Sequence, residues 1–207
     1  MELDIVKLGQ MQTNCYLLSS DNSAIVIDPG DKSEKVEKFL MSAKSYGKSI
    51  LILLTHCHFD HIGAVAELKN KFDLKIAVGK EEADKICNDN INLSELFGIK
   101  TEHFKADILL SDGQIFKSGD LKIGCYFTPG HTEGSMSYLI DGKLFSGDTL
   151  FFESIGNYNF PGGNRDVLIK SVKRLITELP EDTEVFPGHG ESTVLKHEKD
   201  CNLFLKL

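Results

Sequence analysis

The chain has 207 residues, 41% hydrophobic and 26% charged, with a net charge of −8. That composition is ordinary for a soluble globular protein, and residues 1–207 are expected to form a single domain. The acidic balance, with no Lys/Arg-rich tract, argues against a nucleic-acid partner, and no apolar run approaches the ~20 residues of a membrane helix.

The N-terminus, Met1-Glu2-Leu3-Asp4, carries acid where a secretory signal carries base, so a cytoplasmic location is expected. Residues 3–8, 14–20 and 24–27 read as short strands joined by tight turns, the last entering Asp28-Pro29-Gly30. Asp31 with Glu34 predicts a helix-start box, and Val36, Phe39, Leu40 and Ala43 recur at helical spacing up to Gly47. The branched run 50–54 predicts a buried strand, followed by a helix from His61 or Ile62 to Phe72. Residues 74–78 read as a strand and 80–87 as a short helix. Residues 88–105, polar apart from Leu93, Leu96 and Phe97, read as an irregular loop or lid. Strands are then predicted at 107–110, 114–116, 121–128, 135–140 and 143–146. A helix over 166–179 carries Leu168, Val172, Leu175, Ile176 and Leu179 on one stripe; a strand at 184–186 and a closing helix over 193–206 complete the chain. The five cysteines (Cys15, Cys57, Cys87, Cys125, Cys201) are scattered, which argues against a disulfide framework or zinc ribbon and for mostly reduced core residues.

Chemistry concentrates where strands end. After Thr55 come His56, His58, Asp60 and His61 within six positions. Burying such groups unpaired costs roughly 2–7 kcal/mol each, and a divalent metal is the simplest common partner. Three later turns each add one metal-competent side chain in a Gly-containing stretch: Pro129-Gly130-His131-Thr132, Ser146-Gly147-Asp148-Thr149 and Pro187-Gly188-His189-Gly190. Singly each is a turn; together they place polar side chains at four strand ends. Five of seven histidines lie in these turns, and His103 and His197 read as exposed or satisfied residues. Cys57, alternating with two of the histidines on an extended loop, is expected to face the core.

These segments resemble the metallo-β-lactamase-fold hydrolases over nearly the whole chain. The resemblance rests on Asp28 before Gly30, Thr-His-Cys-His-Phe-Asp-His at 55–61, Pro-Gly-His-Thr at 129–132, Gly-Asp-Thr-Leu at 147–150 and Pro-Gly-His-Gly at 187–190. The Gly-Asp-Thr-Leu-Phe run and Pro161-Gly162-Gly163 are similar to short glyoxalase II-like members in particular. The resemblance implies an α/β (α+β) four-layer αββα sandwich with its site along one sheet edge. It further implies one metal on His56, His58 and His131, a second on Asp60, His61 and His189, Asp148 bridging them, and Asp28 supporting the ligand loop. The implied cofactors are two divalent ions per chain, zinc foremost, with iron or manganese as alternatives.

A divalent ion lowers the pKa of bound water from ~15.7 to about 7, so hydrolysis needs no serine or cysteine nucleophile. None is evident: Ser135 and Ser137 lie in a predicted strand without a nucleophile elbow. The implied activity is dinuclear metal-dependent hydrolysis, through a metal-bridging hydroxide, of a small-molecule thioester of the hydroxyacylglutathione type or a related ester or lactone. Asp60 and Asp148 would be the catalytic carboxylates. A thiolate leaving group, with a conjugate acid near pKa ~8.5, needs little acid assistance. Two readings compete. One is a mononuclear iron persulfide dioxygenase using His56, His131 and Asp148; the other is a non-catalytic, metal-stabilised binding module, for which four ligands would suffice. Asp148 stands where zinc β-lactamases tend to carry cysteine, which argues against a β-lactamase proper. Short relatives often read Gly-Arg-x-Asp before Pro-Gly-Gly; here the stretch is Gly156-Asn157-Tyr158-Asn159-Phe160, without the arginine charge. Oligomeric state is not legible.

Overall fold

The computed structural model describes residues 1–206. Six strands of the first half, β1 (Glu2–Leu8), β2 (Thr13–Ser19), β3 (Ser23–Ile27), β4 (Ser49–Leu54), β5 (Lys75–Gly79) and β6 (Ile108–Leu110), form one sheet in chain order. β1 to β3 pair antiparallel, and β3 to β6 run parallel. β4 is apolar almost throughout because parallel neighbours and covered faces bury both of its sides. The second half contributes β7 (Ile115–Ser118), β8 (Leu121–Phe127), β9 (Met136–Ile140), β10 (Lys143–Gly147), the ribbon strands β11 (Leu150–Phe151) and β12 (Ser154–Ile155), then β13 (Glu184–Pro187) and β14 (Thr193–Val194). Its sheet has the order β14-β13-β10-β9-β8-β7, with β10 and β13 parallel and the other pairs antiparallel.

The helices are α1 (Glu34–Ser45), α2 (Phe59–Ile62), α3 (Val65–Phe72), α4 (Ser94–Phe97), α5 (Arg165–Glu178) and α6 (Leu195–Cys201). Three apolar layers separate four structural ones. Val26, Ile52 and Leu54 pack outward against Val36 and Leu40 of α1 and Val65 and Leu68 of α3. The alternate residues Ile25, Ile27, Leu51 and Leu53 meet Ile123, Tyr138, Ile140 and Phe145 across the space between the sheets. Leu144 and Val185 then pack outward against Leu168, Val172 and Leu175 of α5. The period-two alternation of β3 and β4 thus feeds two cores at once, giving the four-layer αββα sandwich.

Four local expectations need correction. Residues 80–87 are not a helix. Their amide bonds reach back three residues, from Glu82 to Gly79 and Lys85 to Glu82, giving successive turns. The helix expected from His61 to Phe72 is broken into α2 and α3. Ala64 N donates to Pro29 O at the break, and the Asp28–Gly30 turn packs there so tightly that a Cβ on Gly63 would lie 2.2 Å from Gly30 O. α1 starts from Ser33 rather than Asp31, whose carboxylate instead accepts from Lys32 N. The closing helix is shorter than 193–206: β14 comes first, α6 follows, and a 3₁₀ turn at Leu203–Leu205 is set off by Asn202, whose side chain accepts from Phe204 N.

Among the described residues no helix is long and apolar enough to cross a membrane. Cys15, Cys57 and Cys125 are buried and Cys87 and Cys201 exposed, all of them free thiols. Cys57 packs in the helix-facing core, as its place in the alternating loop predicts.

Candidate metal centre

Strand direction brings the polar turns together. β3 and β4 are parallel, so the Asp28 turn and the His56–His61 loop leave the same edge of the first sheet. In the second sheet β8 and β10 share a direction through antiparallel β9, and β13 runs parallel to β10, so the turns bearing His131, Asp148 and His189 leave one edge too. The pairing register of β10 with β13 shifts between Phe145 and Gly147, a bulge just before Asp148 of the kind that re-aims a side chain beside a site. Met136 N donates to Thr55 O and Asn14 N to Gly188 O, which ties the two edges together.

All seven predicted side chains converge there. His56 Nε2 lies 3.2 Å from His58 Nδ1, which is 2.9 Å from His131 Nε2. Beside this trio, His61 Nε2 is 3.3 Å from His189 Nε2, and Asp60 Oδ2 is 3.2 Å from His189 Nε2 and 3.6 Å from His61 Nε2. Asp148 spans both groups, with Oδ1 3.4 Å from His61 Nε2 and Oδ2 3.4 Å from His131 Nε2.

The outer nitrogens decide what the inner ones present. His131 Nδ1 donates to Asn157 O at 2.7 Å and His189 Nδ1 to Met11 O at 3.1 Å, because a carbonyl can only accept. Asp28 Oδ1 accepts from Thr55 N at 2.8 Å, and Oδ2 accepts from Thr55 Oγ1 at 2.6 Å and His61 Nδ1 at 2.9 Å. Thr55 has then spent its only hydroxyl proton, so its oxygen accepts from His56 Nδ1 at 3.0 Å. In the neutral imidazoles, four Nε2 lone pairs therefore point inward at one another. Asp28, His56 and His61 also approach closely enough to suggest a ligand trio of their own. The donors already saturating the Asp28 carboxylate make it a support instead.

Electrostatics divide the site. Burial, reinforced by the neighbouring imidazoles, pushes His56 and His58 well below the ordinary 6.5, and burial also lowers His131. Burial opposes charge on His61 as well, but Asp60, Asp148 and Asp28 outweigh it and raise its pKa to about 10. His189 is raised by Asp60 and Asp148 against the same burial. Despite its own burial, Asp60 is held far below the ordinary carboxylate range by His61, His189 and Thr13. One half thus offers neutral nitrogen donors, and the other demands positive charge, which in the protein alone only protons can supply.

That donor set fits a pair of divalent cations. One buried polar atom at the centre, Asp148 Oδ1, has no hydrogen-bond partner. Room is kept by Gly188, where a Cβ would lie 2.1 Å from Asp148 Oδ1 and 2.7 Å from His61 Cε1. Gly30 likewise allows the Asp28 turn against the ligand loop, since a Cβ there would meet Asp60 O at 1.5 Å.

Sequence reasoning missed the residues that hold this arrangement. Thr13 Oγ1 donates to Asp60 Oδ2 at 2.8 Å; Asn14 Nδ2 donates to Pro187 O and Gly190 O at 3.0 and 3.1 Å, clamping the His189 turn. The signal was present: Thr13 and Asn14 are buried polar residues at the head of an otherwise apolar strand. His103 and His197 lie outside the centre, paired with Asp89 and Glu153. Tyr158 packs against the α5 core, and Phe152 stacks on His197.

Comparison with known proteins agrees with the geometry. The model of the metallo-beta-lactamase superfamily matches residues 8–189. The chain is 37% identical over 202 residues to the probable metallo-hydrolase YqgX of Bacillus subtilis, covering 96% of this chain and 94% of YqgX. It is 32% identical over 215 residues to the hydroxyacylglutathione hydrolase GloC of Haemophilus influenzae, covering 99% and 98%. The crystal structure of BLEG-1 B3 metallo-beta-lactamase superposes with a TM-score of 0.89 at 36% identity, covering 100% of both chains. With two facing sheets, outer helices and a histidine–aspartate cluster on their shared edge, the chain belongs to the metallo-beta-lactamase superfamily.

Proposed function

We propose that the protein is a dinuclear metal-dependent hydrolase of a small thioester, or of a related ester or lactone. One ion would be held by His56, His58 and His131, the other by Asp60, His61 and His189, with Asp148 shared. The observation that carries this reading is the inward convergence of four Nε2 lone pairs with His58 Nδ1 and two carboxylates. When bound, the ions supply a water-derived nucleophile at neutral pH and positive charge for the developing oxyanion. The chain's own residues supply direction. Carbonyls of Asn157 and Met11 fix the His131 and His189 tautomers, while Asp28 with Thr55 fixes those of His61 and His56. Thr13 aims the ionised Asp60 carboxylate, and Asp148, with an oxygen 3.4 Å from each of His61 Nε2 and His131 Nε2, would serve both ions. Such a centre suits a leaving group that departs as a thiolate, because no separate acid is required. GloC, similar over nearly its whole length, supports the thioester class.

The test is hydrolysis of hydroxyacylglutathione and simple acyl thioesters by metal-loaded protein, with metal content measured in the same sample. Two ions per chain and thioester turnover are expected. One iron per chain with oxygen consumption would replace this reading with persulfide oxidation. The similarity to BLEG-1 favours one second reading, β-lactam hydrolysis, and turnover of a chromogenic cephalosporin without thioesterase activity would establish it.

A further inference from the structure

Beside Asp60 opens a cavity of about 330 Å³, within the size range of small-molecule sites. One wall is the turn after β1, with Met11; the other is the segment following α4, with Phe97, Ile99 and Lys100; Phe59 and Asp60 also line it. Met11, Phe97 and Ile99 are large apolar residues left 46%, 44% and 46% exposed, and the Phe59 and Phe97 rings lie 5.0 Å apart. Exposed apolar side chains gathered around a concavity mark a binding surface, whereas single ones scattered over a protein do not. The lining is poor in free cations. Of the two lining lysines, Lys32 is engaged by Glu67 at 2.6 Å and Lys100 has no ion-pair partner among the described residues. Gln10, Asp31 and Thr101 are the other polar lining residues beside Asp60. Asp60 lines the cavity and also belongs to the candidate metal centre, so the cavity adjoins the candidate reacting position.

We propose that this cavity receives an aliphatic chain of the substrate, so that the enzyme acts on thioesters or esters of apolar aliphatic acids. The inference rests on the hydrolase reading above and narrows its substrate class. The 88–105 segment then has a job: through Phe97 and Ile99 it forms the selective wall.

The test is binding rather than turnover. Acetate, butyrate and hexanoate are titrated calorimetrically into the metal-loaded protein and into Phe97→Ser and Ile99→Ser, whose exposed positions leave the cores intact. Hexanoate is expected to bind at least tenfold more tightly than butyrate, as two further buried methylenes imply, and each substitution to cancel at least threefold of that gain. Equal affinity across the series, or a chain-length gain untouched by both substitutions, would overturn the assignment. Chain-length-dependent binding without turnover of any ester would support the cavity and sink the hydrolase reading. Turnover with chain-length-independent binding would do the reverse.

Discussion

Asp28→Asn changes one oxygen to nitrogen in a buried carboxylate, yet it should act on two metal ligands at once. In the native protein the carboxylate accepts from Thr55 N, Thr55 Oγ1 and His61 Nδ1 at 2.8, 2.6 and 2.9 Å. The asparagine oxygen can keep the amide bond, which turns its NH₂ toward the other two atoms. His61 Nδ1 must then accept, moving its proton to Nε2, where it faces His189 and Asp148. Thr55 Oγ1, now receiving a proton from asparagine, is free to donate to His56 Nδ1, and the His56 proton moves to Nε2 likewise. Because each bond is reversed and not deleted, the fold should lose only about 1–2 kcal/mol, far less than a cavity mutation. Metal affinity should fall about 10–100-fold, the usual effect of disturbing the partner behind a metal-bound histidine. Chelator competition gives the affinities, thermal unfolding gives the stability, and nitrogen-15 spectra of the imidazoles report the tautomers. Wild-type affinity for both ions, or unfolding before any metal loss, would refute this chain of proton positions.

Further outcomes follow from the same geometry. His58→Ala should abolish activity and reduce bound metal with modest loss of stability, because its inward Nδ1 serves the ligand cluster and its Nε2 has no partner; collapse of the fold on unfolding assays would point to a structural site. Gly188→Ala must displace Asp148 or His61, as its Cβ would fall 2.1 Å from Asp148 Oδ1, so turnover should drop by about 100-fold or more while stability falls by about 1–3 kcal/mol. The metal-free protein should show opposing pH limbs. His61, raised from 6.5 to about 10, contributes stability that is complete below pH 6.5 and lost as pH rises through about 10. His56, His58 and His131 are lowered, so stability declines as pH falls below 6.5, where the unfolded chain takes up protons the folded site refuses. Thermal midpoints from pH 5 to 10 should therefore peak near neutrality, and metal should stabilise more at pH 9 than at pH 6, because it displaces the His61 proton. His103→Ala and His197→Ala, at exposed ion pairs, should leave metal content unchanged and shift stability by no more than about 0.5 kcal/mol.

Much of the architecture was legible because its signals are local. Strand β4 announces itself as a short branched run, and the α5 stripe of Leu168, Val172 and Leu175 reads at helical spacing, since burial of one face imposes those periods on the chain. The turn chemistry was legible for the same reason: clustered histidines and glycines at strand ends are visible wherever the strands sit in space. The turns at residues 80–87 are not legible in the sequence, because the Cys57 N–H that the inward Glu82 carboxylate accepts from lies in a distant segment. The break between α2 and α3 was invisible because its cause, the Asp28–Gly30 turn, lies more than thirty residues away.

By itself, then, the sequence determined which side chains carry the chemistry and which periods the elements follow, both being properties of short segments. Only the tertiary structure decided which nitrogen of each histidine faces inward, since that depends on Asp28, Met11 and Asn157, each supplied by a turn remote in the chain from the histidine it holds. It alone also decided that Thr13 and Asn14 hold the centre from the neighbouring strand, and that a cavity with Met11, Phe97 and Ile99 on its walls adjoins Asp60. Proton placement and cavity shape are set by contacts between segments, and no pattern confined to one segment can encode them.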